Sequence, residues 1–295
     1  MKMNKFKNNI LFIGGTGRNG STILAKILDE SSNILNIGEA PRYFLNQRMQ
    51  SRNIPCECGK MLDECSFWSR IKINIDPEIL SFYNKEVKFK KIFKYLFSSD
   101  KGYKSKFLQI QNSINLIYGD TDNSLLVDTS KHPFHSLLVK DMDNFNIEYI
   151  HLVRSPYAFV SSSLKQNKYL KNKGNAFTFS FQWLYTNIFY DFFKFFNSNK
   201  CIKIFYEDFV YRPNFYLKLI NKRNNLAAYD IKMLNKNSEI QMNIGHSLAG
   251  NPSKFSYGKT KIENKGYKLK FSDKVIVTLL CFPLIIKYYF EKKML

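Results

Sequence analysis

Short apolar runs punctuate this chain at Ile10–Ile13, Ile34–Ile37, Leu125–Val127, Ile147–Val153 and 201–206. Each is too short for a buried helix and dense in branched residues, so each predicts a strand. Longer stretches with helical spacing lie between them. Ser21–Glu30 is amphipathic, and Phe89, Ile92, Phe93, Leu96 and Phe97 mark one helix face, expected in the core, within the lysine- and aromatic-rich segment 69–118. Phe177–Phe196, with Trp183, is apolar enough to predict a helix buried on more than one side. Strands alternating with helices predict a parallel sheet whose right-handed crossovers put helices on both faces. No repeat and no Gly/Ser/Pro-rich linker divides the chain. A single α/β domain over residues 1–295 is expected, with a cysteine-containing insert at about 50–70 and a helical insert at about 70–118.

The first apolar run breaks into Gly14-Gly-Thr-Gly-Arg-Asn-Gly20 and passes straight into the amphipathic segment. Strand, glycine loop and helix in that order build an anion cradle: the backbone turns sharply, and N–H groups at the helix start face the ligand. The spacing from Gly15 to Gly20 fits G-x-x-x-x-G-K-[ST], but Ser21 stands where the lysine belongs, and Arg18 is the nearest cation. A second strand end carries Arg154, followed by Pro156, which suits the first turn of a helix. Ser162 lies eight residues after Arg154, about two helical turns along. A guanidinium and a hydroxyl so placed can hold one phosphate. The run from Leu125 ends in the polar corner Asp128-Thr129-Ser130-Lys131, with a cation at the strand end, where open sheets place their ligands.

Gly17-Arg18-Asn19-Gly20-Ser21-Thr22 resembles the 5′-phosphosulfate loop of the sulfotransferases that use 3′-phosphoadenosine 5′-phosphosulfate (PAPS). Arg154 and Ser162 resemble that family's 3′-phosphate site. Leu125–Lys131, Phe205-Tyr-Glu-Asp-Phe209 and His246–Phe255 resemble further segments of its bacterial members, so the likeness runs from Ile10 to about Tyr257. It implies a three-layer P-loop fold, with a central, mainly parallel sheet flanked by helices, and PAPS as co-substrate without a required metal. The N–H groups of Gly20 to Thr22 and the Ser21 and Thr22 hydroxyls would then hold the 5′-phosphate, and Arg18 would meet the charge on the bridging oxygen. Lys131 would put a cation over the cleft. Asn251 and Gly250 would turn the C-terminal loop over the nucleotide's 3′ side, and Lys254 would add charge there. Two positions depart from the family pattern: Phe205 and Lys254 stand where arginines are usual. Glu207 and Asp208 are therefore expected to cap the helix that follows. In Asn36-Ile-Gly-Glu-Ala-Pro-Arg42, Glu39 resembles the base of the tyrosylprotein sulfotransferases, with Arg42 lining the cleft, and burial is expected to raise its pKa. Cytosolic small-molecule members use a histidine instead, which keeps His132 and His135 as rivals.

The chain has 45 basic against 24 acidic residues, a net charge of +21 and a pI near 9.6. Such a balance calls for an anionic partner. Asn, Lys, Ile and Phe are all abundant, so compositional bias accounts for part of it. Nothing resembles a zinc finger, an RNP motif or a basic heptad helix, so nucleic acid is not expected. A small-molecule or glycan acceptor is, and lipid and peptide tyrosine hydroxyls stay open. The apolar run before the first glycine loop is too short for a leader, so a cytoplasmic location is expected. Val275–Ile286 is twelve residues without a charge, short of the roughly 20 needed to cross a bilayer. It predicts a buried helix, or a peripheral membrane contact beside Lys287, Lys292 and Lys293. Cys56, Cys58 and Cys65 cluster before Phe67-Trp68, in an insert similar to an acceptor-side loop of some bacterial members. Zinc wants four ligands and no fourth donor is local, so a reduced or disulfide-pinned surface loop is expected. The polar 166–175 segment suits either a lid or a plain surface loop. Two other functions compete: a P-loop nucleotide kinase, which the missing lysine disfavours, and a non-catalytic polyanion-binding protein.

Overall fold

The computed structural model describes residues 8–43, 55–71, 73, 75–119, 125–170, 174–223, 226–264 and 266–294, the side chains of 168–170 and 252–253 excepted. All five apolar runs are strands: β1 (Asn8–Gly14), β2 (Ile34–Gly38), β3 (Leu125–Lys131), β4 (Phe145–Val153) and β5 (Cys201–Phe205). They form one sheet in the order β2-β3-β1-β4-β5, with every pairing parallel. Both faces are covered, which is why the strands read as continuous apolar runs rather than as alternations. In β1, Ile10 and Phe12 enter the core on one face, and Leu11 and Ile13 the core on the other.

One face packs against α1 (Ser21–Asp29) and, later in the chain, two short helices at Tyr206–Tyr211 and Pro213–Asn221. The other carries α2 (Pro77–Glu86), α3 (Ile92–Phe97), α4 (Lys101–Gly119) and α5 (Pro133–Lys140), together with one stripe of a long later helix. Beyond β4 come α6 (Pro156–Leu170) and α7 (Ala176–Phe196), then α8 (Tyr206–Tyr211), α9 (Pro213–Asn221), an antiparallel pair β6 (Glu239–Met242) and β7 (Gly258–Lys261), and α10 (Phe271–Lys293). A third apolar cluster joins α6, α7 and α10 around Trp183. This is the expected three-layer α/β architecture. Of the 166–175 segment, residues through Leu170 continue α6, and 171–173 lie outside the described residues.

Three expectations about burial are corrected. Helix α7 buries a single stripe, including Ser180, Trp183, Asn187 and Tyr190, and leaves Phe177, Phe181, Phe192, Phe195 and Phe196 exposed. Likewise α10 buries only Val277, Cys281, Leu284 and Tyr288, while Leu279, Phe282 and Phe290 face outward. In α3 Ile92 is the one fully buried residue and Tyr95 packs against the core beside it, while Phe93 and Phe97 stack on each other outside it. In each case one packing face is taken by neighbours, and apolar density beyond that stripe is left uncovered by the described residues. Among the described residues no helix is long and apolar enough to cross a membrane. Lys287 pairs with Asp191 at 2.6 Å and Lys292 with Asp208 at 3.4 Å, so two of the three lysines proposed to flank a membrane contact are engaged within the fold.

Candidate active site

Because the sheet is parallel, all five C-terminal strand ends open on one edge. β1 sits at its centre, between β3 and β4, so its glycine loop lies between the ends that carry Lys131 and Arg154. A cleft of about 1450 Å³ runs along this edge, larger than the roughly 300–1,000 Å³ of a single small-ligand pocket. Eight of its lining residues are basic (Arg18, Arg42, Lys131, Arg154, Lys165, Lys254, Lys261, Lys268) and two acidic (Glu39, Glu263), so its field favours anions.

Asn19 holds the loop from within rather than facing the cleft. Its buried amide donates to the Leu152 carbonyl at 3.0 Å, and its Oδ1 accepts from the Ser21 N–H at 3.1 Å. The Ser21 N–H is therefore committed, contrary to the expectation that it serves the ligand. The N–H groups of Gly20 and Thr22 have no protein acceptor among the described residues. Gly20 has φ 97, and a Cβ there would strike the Tyr206 ring, so only glycine lets the ring and loop meet. Among the described residues Ser21 Oγ, buried in this cleft, has no hydrogen-bond partner, and Gly17 faces open space.

The structure brings Arg18, Arg154 and Ser162 together. Arg18 Nε donates to Ser162 Oγ at 3.0 Å, and Arg154 Nη1 donates to the Arg18 carbonyl at 2.7 Å. Burial and the nearby Arg154 cation both press the Arg18 guanidinium below its ordinary pKa, and an anion between the two relieves that. Arg154 Nε is buried and has no hydrogen-bond partner among the described residues. Arg18 and Lys131 both hold φ 61, a left-handed conformation that non-glycine residues rarely adopt and that concentrates at functional sites.

Glu39, just past β2, accepts from Lys131 Nζ at 2.6 Å and from Arg42 Nε at 3.2 Å. Burial alone would raise its carboxyl, but the Lys131 and Arg42 cations outweigh it and hold Glu39 below the ordinary value. The expectation of a raised pKa is thus corrected. Of the rival histidines, His132 lines the cleft, but its Nδ1 caps α5 by accepting from the Phe134 N–H at 3.2 Å, and burial lowers its pKa to about 4. His135 lies beneath, 1% exposed, near the Phe12 ring, its pKa lowered to about 3 by burial. A base depressed in the fold makes the unfolded chain take up more protons, so stability is lost as pH falls below about 6.5. His135→Phe is expected to flatten the decline between about pH 6 and pH 4, checked by urea titrations across that range; an unchanged slope counts against this account.

On the far side, the Asn251 N–H donates to Thr22 Oγ1 at 3.4 Å, so the C-terminal loop does meet the glycine loop. Lys254 is not a free charge: its Nζ donates to the Pro55 carbonyl at 2.9 Å, and burial lowers its pKa. Glu207 does not cap the helix after it. It lies in the first turn of α8, and its Oε1 accepts from the Ser155 N–H at 2.9 Å, just ahead of α6.

Solved structures that share this fold include sulfotransferases. The sulfotransferase domain from the Synechococcus PCC 7002 olefin synthase is 17% identical, with 95% of this chain and 96% of that one covered, at a TM-score of 0.52. The fold is the sulfotransferase fold. The sulfotransferase domain from the curacin biosynthetic pathway (18% identical, 92% and 97% covered, TM-score 0.49) and a sulfotransferase from Alicyclobacillus acidocaldarius (10%, 94% and 92%, 0.46) also align with this chain. No protein-family model and no curated protein sequence matches it.

Within the sulfotransferase fold, two supports of the site come from residues that lie in segments the sequence singles out but to which it assigns no role at Arg154. Tyr206 lies under the Arg154 guanidinium at 5.3 Å, and Trp183 Nε1 donates to the Arg154 carbonyl at 2.8 Å. Both come from elements far along the chain. The cysteine segment is not a surface loop: Cys56, Cys65, Phe67 and Trp68 are buried in the main core, and Pro55 is its one described residue on the cleft wall.

Proposed function

We propose that this chain is a sulfotransferase that moves the sulfuryl group of PAPS to a hydroxyl of an acceptor. The observation that carries the reading is the pair of buried donors without partners, Ser21 Oγ and Arg154 Nε, in a cleft whose basic residues far outnumber its acidic ones. They suit a ligand with two separated phosphate groups. The Gly20 and Thr22 N–H groups and the Ser21 hydroxyl would hold the 5′-phosphate, and Arg154 with Ser162 the 3′-phosphate.

PAPS supplies an activated S–O bond to the 5′-phosphate. The acceptor oxygen forms the new O–S bond, the bridging S–O bond breaks, and Glu39 takes the hydroxyl proton. Arg18 offsets the charge that develops on the departing phosphate, and Lys131 keeps Glu39 ionised and aimed. As in phosphoryl transfer, positioning and electrostatics supply most of the rate. An ionised carboxylate with a depressed pKa is a weak base, so it serves where proton transfer comes late. The acceptor is a glycan, lipid, small metabolite or tyrosine hydroxyl.

Calorimetry with adenosine 3′,5′-bisphosphate, AMP and ATP–magnesium tests the donor site. The bisphosphate should bind best, and Arg154→Ala should weaken it at least about thirtyfold, since truncating one side of a buried charge pair costs roughly 2 kcal/mol or more. Stronger binding of ATP–magnesium would favour a kinase instead.

A further inference from the structure

Cys56, Cys58 and Cys65 lie within one short segment, and His246 is 181 residues beyond Cys65. In the fold the four donor atoms lie within 4.8 Å of one another. Cys56 and Cys65 Sγ are 3.6 Å apart, and His246 Nδ1 is 3.3 Å from Cys65 Sγ and 3.9 Å from Cys56 Sγ. A tetrahedral ion with Zn–S near 2.3 Å and Zn–N near 2.0 Å requires edges of about 3.5–3.8 Å. The expectation of no metal rested on the lack of a local fourth donor, and the tertiary structure supplies one.

We propose that Cys56, Cys58, Cys65 and His246 form a structural zinc site that fastens the cysteine segment to the C-terminal loop over the cleft. Three thiolates and one imidazole make a closed set without an open position, the pattern of structural rather than catalytic zinc. The cysteine segment is shaped as a ligand turn. Gly59, at φ 82, lets the chain double back, so that its N–H reaches the Cys56 carbonyl at 2.9 Å and the Cys56 N–H reaches the Lys60 carbonyl at 3.0 Å. His246 is held from outside the donor set: Trp68 Nε1 donates to its carbonyl at 2.7 Å, and Phe67 stacks on its ring with centroids 5.9 Å apart.

The consequence for the cleft follows from what His246 leads into. The Ser247 carbonyl accepts from the Glu57 N–H at 3.0 Å, and the Leu248 carbonyl accepts from the Glu39 N–H at 2.9 Å. Fixing His246 therefore fixes the strap that touches both Glu39 and, through Asn251, the glycine loop.

The test is metal analysis of the full chain produced in zinc-replete medium. About one zinc per chain is expected, lost in Cys58→Ser and in His246→Gln. Removal by a chelator under reducing conditions should lower the thermal midpoint, and zinc should restore it. Cobalt(II) added to the extracted wild-type chain should give the thiolate charge-transfer and intense visible bands of a tetrahedral site, and this holds the proposal to account even where a variant does not fold. A chain without stoichiometric zinc and with only weak octahedral cobalt bands overturns it. So does zinc retained in both variants, a redox metal in its place, or a Cys56–Cys65 disulfide in the non-reduced protein by mass spectrometry.

Discussion

Glu39→Gln is expected to lower sulfuryl transfer by about 10²–10⁴-fold, the usual worth of a positioned general base. Affinity for adenosine 3′,5′-bisphosphate should stay nearly unchanged, because the substitution keeps the shape of the side chain and, among the described residues, the ion pairs of Glu39 are with Lys131 and Arg42. The two cations also set the pH profile. Since they hold the carboxyl below its ordinary 4.5, Glu39 is ionised throughout the range from pH 5 to pH 8, and the acidic limb of the pH–rate profile should lie below that ordinary value. The stability it contributes has the same sign: present above the ordinary carboxylate pKa and lost as pH falls through the depressed one. Single-turnover transfer from PAPS, alongside calorimetry of the bisphosphate, separates the two effects. Transfer at the wild-type rate in the Gln variant would remove Glu39 from the chemistry and leave His132, the cleft-lining imidazole, as the base.

Lys26→Met is expected to destabilise the fold by about 3–5 kcal/mol, the cost of leaving one buried charge without its partner. Lys26 on α1 is 1% exposed and is hydrogen-bonded to the fully buried Glu57. Its ammonium also donates to the Lys254 carbonyl at 2.8 Å, and Glu57 Oε2 accepts from the Ser247 hydroxyl at 2.6 Å. One side chain thus joins the helix behind the glycine loop, the cysteine segment and the C-terminal loop. Removing the second charge as well, in Lys26→Met with Glu57→Gln, should recover part of the loss, because the stranded carboxylate is the main penalty. Guanidinium unfolding measures both. A loss below about 1 kcal/mol in the single variant would mean that water reaches Glu57 and that the pair is not the clasp described here.

Much of this was legible residue by residue. The five strands and the helix after the glycine loop follow from local periodicity, with bounds within two residues at most ends, except that β3 runs on through its polar corner to Lys131. Arg154 and Ser162 sit on one strand end and the helix it feeds, so their convergence follows from spacing alone. Burial was less legible. The phenylalanines of α7 and α10 carry the same local signal whether a neighbour covers them or not, and only the neighbours' positions decide which stripe is buried.

By itself, the sequence determined the parallel strand–helix alternation and the strand, glycine loop and helix at the end of β1, because both are written in contacts a few residues apart. Only the tertiary structure decided that Asn19 faces inward, that Lys131 holds Glu39 ionised, that Tyr206 backs Arg154, and that His246 completes a four-donor cluster with three cysteines. Most of those pairs are separated by 50 to nearly 200 residues, and the direction of a loop side chain is set by what packs against it. No periodicity along the chain encodes such a meeting; it exists once the sheet has brought its strand ends to one edge.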